Sequence, residues 1–292
     1  MASGKYVLCE KPLASTVEDA ESMVKAADAS GLVAACGFSY RRSPAISAIG
    51  EQIKTGALGE IQHFNGRYWC DYSADPDAPT SWRYEGPLGM GALADLGSHL
   101  VDISEQLCGT IVKIDGAVLP ILIKDRPVPL GAALGHAAGG AVSDERRPVT
   151  NEDIATFVAE FANGAAGTFA ISRVALGHPN SLGFEVFGTK AAASFDLAAN
   201  AEFGYVDNAP NRATNGWRRV IIGSTIQRST LSTTRSSTRC TPSGTGTRWM
   251  LASMCSARSH LPGTRSKHRW CAMSLGPRQV RSWKASITCT TR

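Results

Sequence analysis

The sequence predicts a mixed α/β fold with an antiparallel sheet in its second half. Residues 6–38 have the pattern strand, helix, strand with short turns, which is typical of a parallel βαβ unit. Farther along, two pairs of apolar runs are separated by turn residues, as in antiparallel hairpins. The length of 292 residues corresponds to about two domains.

The βαβ unit begins with a short apolar strand over residues 6–9, which ends at Glu10-Lys11-Pro12. The segment Ser15-Thr16-Val17-Glu18 has the spacing of a capping box and predicts the start of a helix. Gly31 predicts the end of that helix, because glycine adopts the left-handed cap conformation at the lowest cost. Residues 32–38 then predict a second buried strand.

A second α/β domain follows from Ser43. Its first half is predicted to contain a helix over 45–54, an alternating strand over 61–69, a polar loop over 71–88 and a helix over about 91–107. Its second half is predicted to contain two hairpins, which pair 155–161 with 167–174 and 183–187 with 192–195.

Charge is distributed unevenly along the chain, whose net charge is +5. Residues 1–222 contain 18 basic and 25 acidic residues, whereas residues 223–292 contain 12 basic residues and no acidic one. The second segment also contains 25 Ser and Thr but no Phe or Tyr. The two segments therefore have to be interpreted separately.

Residues 223–292 have three interpretations. As a nucleic-acid-binding arm they have the charge but no recognised motif. As a zinc site they offer four residues whose spacing matches no common zinc pattern, namely Cys255, His260, His268 and Cys271. As an out-of-frame translation of a GC-rich gene they would be rich in Arg, Ser, Thr, Cys and Trp, as they are. We favour the third interpretation and predict a disordered tail, no metal site and no nucleic-acid partner.

The sequence also bears on the cellular compartment. No apolar run reaches the roughly 18 residues that a membrane helix needs, and the first residues lack the apolar region of a secretory signal. The eight cysteines are scattered over the chain, unlike those of a small disulfide-rich secreted domain. We therefore expect a cytoplasmic protein with reduced thiols and no membrane partner.

Lys11 is the first candidate functional residue. It lies at the carboxyl end of a predicted parallel strand, where ligands bind in open α/β sheets, and Pro12 after it restricts the backbone and allows a cis bond. The alternative, an ordinary surface lysine in a loop, is favoured for Lys11 taken alone.

Asp95 and His99 are the second candidate. Their spacing of four residues places both side chains on one face of a helix, and Asp102 lies on the same face. A carboxylate can orient an imidazole and raise its basicity, as in a general base. A structural ion pair on the helix surface is the simpler alternative.

Together these segments resemble a known family. The segments 4–14 (GKYVLCEKPLA), 37–45 (GFSYRRSPA) and 95–99 (DLGSH) have the order and separations found in the Gfo/Idh/MocA family of NAD(P)-dependent oxidoreductases. The resemblance covers about residues 3–222 and is specific for the family, less so for a substrate.

The resemblance implies three parts. Residues 1–42 would be the remnant of a dinucleotide-binding Rossmann domain, and residues 43–222 an α/β domain with a large, open and mostly antiparallel sheet. Residues 223–292 are the basic tail. Members often use the sheet in oligomer contacts, so the resemblance also implies a homo-oligomer.

For function, the resemblance implies an NAD- or NADP-dependent dehydrogenase that oxidises a secondary hydroxyl of a sugar, anhydrosugar or polyol. Lys11 matches the catalytic lysine that binds the hydroxyl, His99 the general base and Asp95 its acidic partner. The residues implied around the cofactor are Glu10, Tyr40, Arg41, Trp82 and Arg83. The residues implied for the substrate, besides Lys11, are Arg83, His178 and Asn180.

The sequence departs from the family at the cofactor fingerprint. The family places a Gly-rich strand-to-helix turn, which holds the pyrophosphate, before its Glu-Lys-Pro motif, and this sequence contains no G-x-G-x-x-G run. We therefore expect an N-terminally truncated chain that does not bind cofactor with ordinary affinity. The alternative function is a non-catalytic remnant that keeps only the sheet and its self-association surface.

We predict that trypsin cuts residues 223–292 before it cuts the rest of the chain, because twelve basic sites lie there and unpacked chain is cleaved first. Limited digestion followed by intact-mass measurement checks this. A chain that stays intact under conditions that cut a denatured control would contradict both the predicted disorder and the out-of-frame origin.

Overall fold

The strand–helix–strand unit forms as the sequence predicts, except that its second strand is half-buried rather than buried. In the computed structural model, which describes residues 3–131, 140–208 and 216–222, strand β1 (Val7–Cys9) pairs in parallel with β2 (Ala34–Cys36). Helix α1 (Val17–Ser30) connects the two strands. The Lys11–Pro12 peptide bond after β1 is cis.

Helix α1 begins one residue later than the predicted capping box. Its cap is Thr16 rather than Ser15, and the Thr16 hydroxyl accepts a hydrogen bond from the Asp19 backbone N–H at 3.1 Å. This bond satisfies one of the N–H groups that the first helical turn leaves without a partner. Gly31 ends the helix with φ 63°, as predicted.

The chain continues with helix α2 (Pro44–Lys54) and strand β3 (Ile61–Trp69), both near their predicted positions. The helix predicted over about 91–107 is divided into two parts. Leu93–Gly97 form one π-helical turn, and α3 (Ser98–Cys108) continues from it. A π turn contains more residues than an α turn, so residues on either side of it change their relative direction.

The other nine strands are β4 (Ile111–Val118), β5 (Asp125–Pro129), β6 (Val142–Pro148), β7 (Ile154–Phe161), β8 (Ala166–Ser172), β9 (Ser181–Gly188), β10 (Ala191–Asp196), β11 (Glu202–Asp207) and β12 (Arg218–Ile221). Eight strands form one open sheet in the order β12–β11–β10–β9–β3–β8–β7–β4, and β5 pairs with β6 separately. All neighbours in the large sheet are antiparallel except β3 and β8. The mostly antiparallel sheet is therefore confirmed, and the two predicted hairpins are β7–β8 and β9–β10.

The sequence analysis did not predict β4, β5, β6, β11 or β12. Strand β4 is mostly exposed, without the strict alternation of a half-buried strand. Strand β5 contains two prolines, which ordinarily argue against a strand. Strands β4 and β12 are the edges of the large sheet, β11 is the neighbour of β12, and β5 and β6 lie outside that sheet. The sequence is less constrained by burial there.

The core lies between one face of the sheet and helices α2 and α3. Phenylalanines from adjacent strands stack along this face, with ring centroids 5.6 Å apart for Phe64 and Phe184 and 4.5 Å apart for Phe157 and Phe169. The helices add fully buried aliphatic side chains, namely Ile46, Ile49, Leu100 and Ile103. This packing fixes α3, and with it the segment just before α3, against the middle of the sheet.

Among the described residues, no helix is long and apolar enough to cross a membrane. The predicted disorder of residues 223–292 and the candidate zinc ligands in that segment lie outside the described residues.

Candidate active site

Lys11 and Asp95 form the centre of the site, although 84 residues separate them in the sequence. Lys11 Nζ donates to the main-chain oxygen of Asp95 at 2.5 Å and to its Oδ1 at 2.9 Å. Lys11 reaches this position from the loop after β1, and Asp95 lies in the π turn before α3. The structure thus brings together the two segments that the sequence analysis singled out.

Tyr72 completes the surroundings of the Asp95 carboxylate by donating its hydroxyl to Oδ2 at 2.7 Å. Burial raises the pKa of Asp95, but the charge of Lys11 and the hydrogen bonds from Tyr72 and Lys11 outweigh burial and hold the pKa below its usual value. Burial and the adjacent carboxylate raise the pKa of Tyr72, so its hydroxyl stays protonated and donates. Asp95 is therefore an anion at neutral pH, with both oxygens engaged.

The expected hydrogen bond between Asp95 and His99 is not formed in the described structure. Both Asp95 oxygens are used by Lys11 and Tyr72, and His99 Nδ1 is buried without a hydrogen bond to any described residue. The expectation assumed α-helical spacing, in which residues i and i+4 are neighbours. The π turn over 93–97 changes that geometry.

His99 is instead surrounded by aromatic rings. The centroid of its imidazole lies 4.9 Å from the Tyr40 ring, 5.9 Å from Phe38 and 6.2 Å from Tyr68. Burial, and then the charge of Lys11, lowers the pKa of His99 to about 4, although Asp95 opposes the shift. The imidazole is therefore neutral at physiological pH, which is the form that accepts a proton.

Of the expected cofactor residues, Tyr40 lies in this aromatic group, with its hydroxyl 2.9 Å from that of Tyr68. Glu10 follows β1, and its carboxylate lies against Gly37, the residue after β2; a Cβ at that glycine would be 3.1 Å from Glu10 Oε2. Arg41 makes a bidentate ion pair with Asp102, in which Nε donates to Oδ2 at 2.6 Å and a terminal nitrogen donates to Oδ1. This pair attaches the segment after β2 to helix α3.

Trp82 and Arg83 lie on a short 3-10 turn beside the site. The Arg83 guanidinium carbon is 4.3 Å from the centroid of the Trp82 ring, and Trp82 is 73% exposed. Arg83 Nε is buried and has no hydrogen-bond partner among the described residues. The charge of Arg83 also helps to lower the pKa of Asp95, so this guanidinium contributes to the field of the site.

The loop before β9 contributes His178 and Asn180. The His178 ring packs edge-on against Trp69 at 5.1 Å, and Asn180 Oδ1 accepts from Cys70 Sγ at 3.8 Å. Asp95 is among the groups that raise the pKa of Cys70, after the larger effect of burial. The negative charge of Asp95 therefore acts on Cys70, directly after β3. His178 and Asn180 lie beside the same end of β3.

A buried polar network holds the segment that carries Arg83. Arg173 donates from Nε to Asp153 Oδ1 at 2.9 Å and from a terminal nitrogen to Asn151 Oδ1 at 3.0 Å. Arg173 is 1% exposed and Asp153 is 0% exposed. Both Arg173 and Asn151 also donate to the main-chain oxygen of Arg83, at 3.1 and 3.0 Å. The network therefore fixes the backbone at Arg83.

Glu152, from the same segment, holds the chain that leads into the π turn. Its carboxylate accepts from the backbone N–H groups of Gly89, Gly91 and Leu93 at 2.7 to 3.1 Å. A Cβ at Gly91 would lie 2.2 Å from the Glu152 main-chain oxygen, so only glycine fits there. This contact places the turn that carries Asp95.

The sequence analysis did not single out Tyr68, Cys70 or Tyr72. All three lie at the end of β3 or just after it, in the aromatic run Tyr68-Trp69-Cys70-Asp71-Tyr72. Polar and aromatic residues that follow a buried strand are a usable signal for a ligand site. The signal was present, but only the fold shows that this strand ends beside Lys11.

Comparisons with known proteins identify the family. Residues 46–194 match the GFO/IDH/MocA C-terminal domain, and residues 1–38 match the oxidoreductase family with an NAD-binding Rossmann fold. The chain belongs to the GFO/IDH/MocA family. The resemblance drawn from the three sequence segments is therefore confirmed.

One curated relative in this family is a levoglucosan dehydrogenase from Pseudarthrobacter phenanthrenivorans, 36% identical over 224 residues, which are 76% of this chain and 57% of that protein. An oxidoreductase domain protein from Kribbella flavida has a similar structure, with a TM-score of 0.66 and 36% identity over 75% of this chain and 56% of that one. A levoglucosan dehydrogenase in complex with NADH and levoglucosan has a TM-score of 0.66 and 33% identity over 76% of this chain and 56% of that one. The GFO/IDH/MocA chain described here thus spans little more than half the length of these relatives.

We predict that the free energy of unfolding of this chain falls between pH 6.5 and about 4 because of His99. The unfolded imidazole takes up a proton near pH 6.5, whereas the folded one resists protonation down to about pH 4. Relative to His99→Gln, the chain should lose roughly 1–3 kcal/mol over this interval.

Urea denaturation of both proteins at pH 7, 5.5 and 4.5 measures this difference. His63 lies on the face of β3 opposite the core and stacks against Phe187. The variant His63→Gln therefore controls for the loss of one histidine. Identical pH dependence of the chain and of His99→Gln would show that His99 is not buried as a neutral group.

We predict that Arg173→Ala lowers the free energy of unfolding by about 3–5 kcal/mol, because it leaves the buried Asp153 carboxylate without its charged partner. Arg67→Ala removes an exposed pair with Asp196 and should cost at most about 1 kcal/mol. Urea denaturation at pH 7 compares the two. Equal costs would contradict the buried ion pair.

Proposed function

We propose that the site binds the secondary hydroxyl of a sugar, anhydrosugar or polyol for NAD(P)-linked oxidation, with Lys11 binding the hydroxyl and His99 acting as general base. The observation that carries this proposal is a lysine ion-paired with Asp95 next to a histidine that is neutral at physiological pH. One group stabilises negative charge on an oxygen and the other accepts a proton, which is what alcohol oxidation requires.

Lys11 has three N–H donors, and two of them are directed to Asp95. We propose that the third donates to the substrate oxygen. As the hydroxyl proton moves to the His99 imidazole, negative charge develops on that oxygen, and the fixed ammonium stabilises it. Asp95 acts as a positioning residue, because its carboxylate holds the ammonium in place and is itself held by Tyr72.

The residues present fit the reacting end of a nicotinamide cofactor, since the lysine, the neutral histidine and the Tyr40 ring lie together beside the end of β2. When bound, the cofactor would supply the hydride acceptor. We propose Glu10, Tyr40, Arg41, Trp82 and Arg83 as its neighbours, with Arg41 acting through its ion pair to Asp102.

The substrate class is supported by the polar groups around the lysine and by the relatives. The Arg83 guanidinium, with its buried Nε lacking a described partner, and the loop residues His178 and Asn180 would bind further hydroxyls. A similar structure contains NADH and levoglucosan, and another levoglucosan dehydrogenase complex contains NADH and L-sorbose.

A second candidate is a non-catalytic protein that keeps the sheet and a self-association surface. In the described segments, the sheet of the strand–helix–strand unit consists of two strands, and no Gly-rich turn leads from a strand into a helix to hold a pyrophosphate. This favours weak NAD(P)H binding by the chain on its own. The outer face of the sheet, with the exposed Val158 and the Arg67–Trp69 contact, is the proposed contact between copies.

We predict that levoglucosan or myo-inositol at millimolar concentration gives a saturation-transfer NMR signal with this chain, and that Lys11→Ala and His99→Ala remove it. Lys54→Ala, which removes an exposed pair with Glu51, is the matched control and should keep the signal. In any form that turns over, Lys11→Ala should lower kcat about 10²-fold and His99→Ala about 10²- to 10⁴-fold.

Fluorescence titration with NADH distinguishes the two candidates. A dissociation constant in the micromolar range favours the enzyme, whereas no saturation together with self-association in sedimentation favours the non-catalytic protein. A sugar signal that survives both Lys11→Ala and His99→Ala would place the substrate elsewhere and contradict the proposed site.

A further inference from the structure

Cys9 and Cys36 occupy the same register position of the two parallel strands β1 and β2. Side chains of paired residues on neighbouring strands point to the same face of a sheet. Neighbouring strands lie about 4.7–4.9 Å apart, which is within the range of roughly 4.4–6.8 Å between the Cα atoms of disulfide-bonded cysteines. The backbone thus places these two residues at a distance that a disulfide can span.

The side chains of this cysteine pair also face the same short loop. Cys9 Sγ donates to the main-chain oxygen of Leu13 at 3.7 Å, and Cys36 Sγ donates to that of Glu10 at 3.9 Å. Burial, and then the electrostatic interaction with neighbouring Cys9, raises the pKa of Cys36 to about 11. The two sulfurs therefore lie near each other, on the side where the loop with Lys11 leaves β1.

The accessibility of the pair differs from that of the other described cysteines. Cys9 and Cys36 are half-buried, whereas Cys70 and Cys108 are buried at 4% and 5% exposure. A small soluble reagent can reach the first two without unfolding of the core. The pair is accessible enough to react, and each thiol has a neighbour with which to react.

We propose that Cys9 and Cys36 are a redox modification site that closes to a disulfide when a low-molecular-weight disulfide such as oxidised glutathione supplies the oxidising equivalents. One protein thiolate attacks the reagent, breaks its S–S bond and releases one glutathione thiolate. The second protein thiolate then attacks the mixed disulfide and releases the other glutathione. Two protein thiols are oxidised, one glutathione disulfide is reduced to two thiols, and the two protons pass to the glutathione thiolates.

The disulfide would act on the site through the two segments that it joins. Cys9 comes two residues before Lys11, which contacts Asp95, and Cys36 comes two residues before Phe38, which packs against His99. A two-stranded sheet has few ladder hydrogen bonds and opens easily. The bond would hold the ends of both strands together next to these residues.

Peptide mapping of the full chain tests the proposal. The chain is incubated with oxidised glutathione at pH 8, remaining thiols are alkylated, and the protein is digested with trypsin without reduction. Trypsin does not cut the Lys11–Pro12 bond, so Cys9 lies alone in the peptide 6–25 and Cys36 alone in the peptide 26–41. We expect these two peptides as one linked species that separates on reduction, with Cys70 and Cys108 alkylated.

The variants Cys9→Ser and Cys36→Ser should each abolish the linked species and leave the remaining cysteine as a mixed disulfide with glutathione. Cys108→Ser is the matched control and should leave the link intact. Full alkylation of both cysteines, glutathione on both without a link, or a link from either one to a different cysteine would overturn the proposal.

Hydrogen exchange measures the consequence for the strands. In the oxidised chain the amides of residues 7–9 and 34–36 should exchange about 10-fold or more slowly than in the reduced chain, because the cross-link suppresses local opening. The Cys36→Ser chain, treated in the same way, should show no such slowing. Equal exchange in oxidised and reduced chains would show that the disulfide does not constrain the strands that flank the site.

Discussion

The ion pair between Lys11 and Asp95 is the contact on which the site depends. It joins the loop after the first strand to the turn before α3, two segments separated by 84 residues. Taking either charge out of water alone would be costly, and the pair offsets that cost only because its geometry is close and Tyr72 satisfies the second carboxylate oxygen. The Arg41–Asp102 ion pair likewise joins two distant segments, farther along α3. Two ion pairs thus attach the segments that follow β1 and β2 to the π turn and to helix α3.

The position of Asp95 is in turn set by buried polar groups. Glu152 binds three backbone N–H groups ahead of the π turn, and Arg173 links Asp153 and Asn151 to the backbone of Arg83. Buried charges of this kind give geometric precision rather than large stability, because their desolvation consumes most of the attraction. Neighbouring residues of one segment, 151–153, therefore support both the turn with the carboxylate and the turn with the guanidinium.

The sequence analysis assigned Asp95 to His99 as its acidic partner, but the structure gives these two residues different contacts. A carboxylate in direct contact would raise the basicity of the imidazole, but the described contacts of His99 are aromatic rings, and burial lowers its pKa. The carboxylate instead holds the lysine. The result is an ion-paired donor next to an acceptor that its environment keeps neutral. The Cys9–Cys36 pair lies just outside this arrangement, at the ends of the strands that carry it.

The sequence by itself determined the parts of this protein that have local causes. Periodicity and turn residues gave α1, α2, β3 and both hairpins, and three short segments gave the family, because these patterns are properties of consecutive residues. The tertiary structure alone decided which side chains meet: Tyr72 on Asp95, Asp95 on Lys11 rather than His99, and Arg41 on Asp102. Asp95 and His99 are four residues apart, as the sequence analysis noted, but a π turn replaces the α-helical geometry that would make them neighbours. That turn is held by Glu152, which is 57 residues from Asp95 in the sequence. Contacts between distant segments depend on how the sheet and helices pack, and no local pattern contains that information.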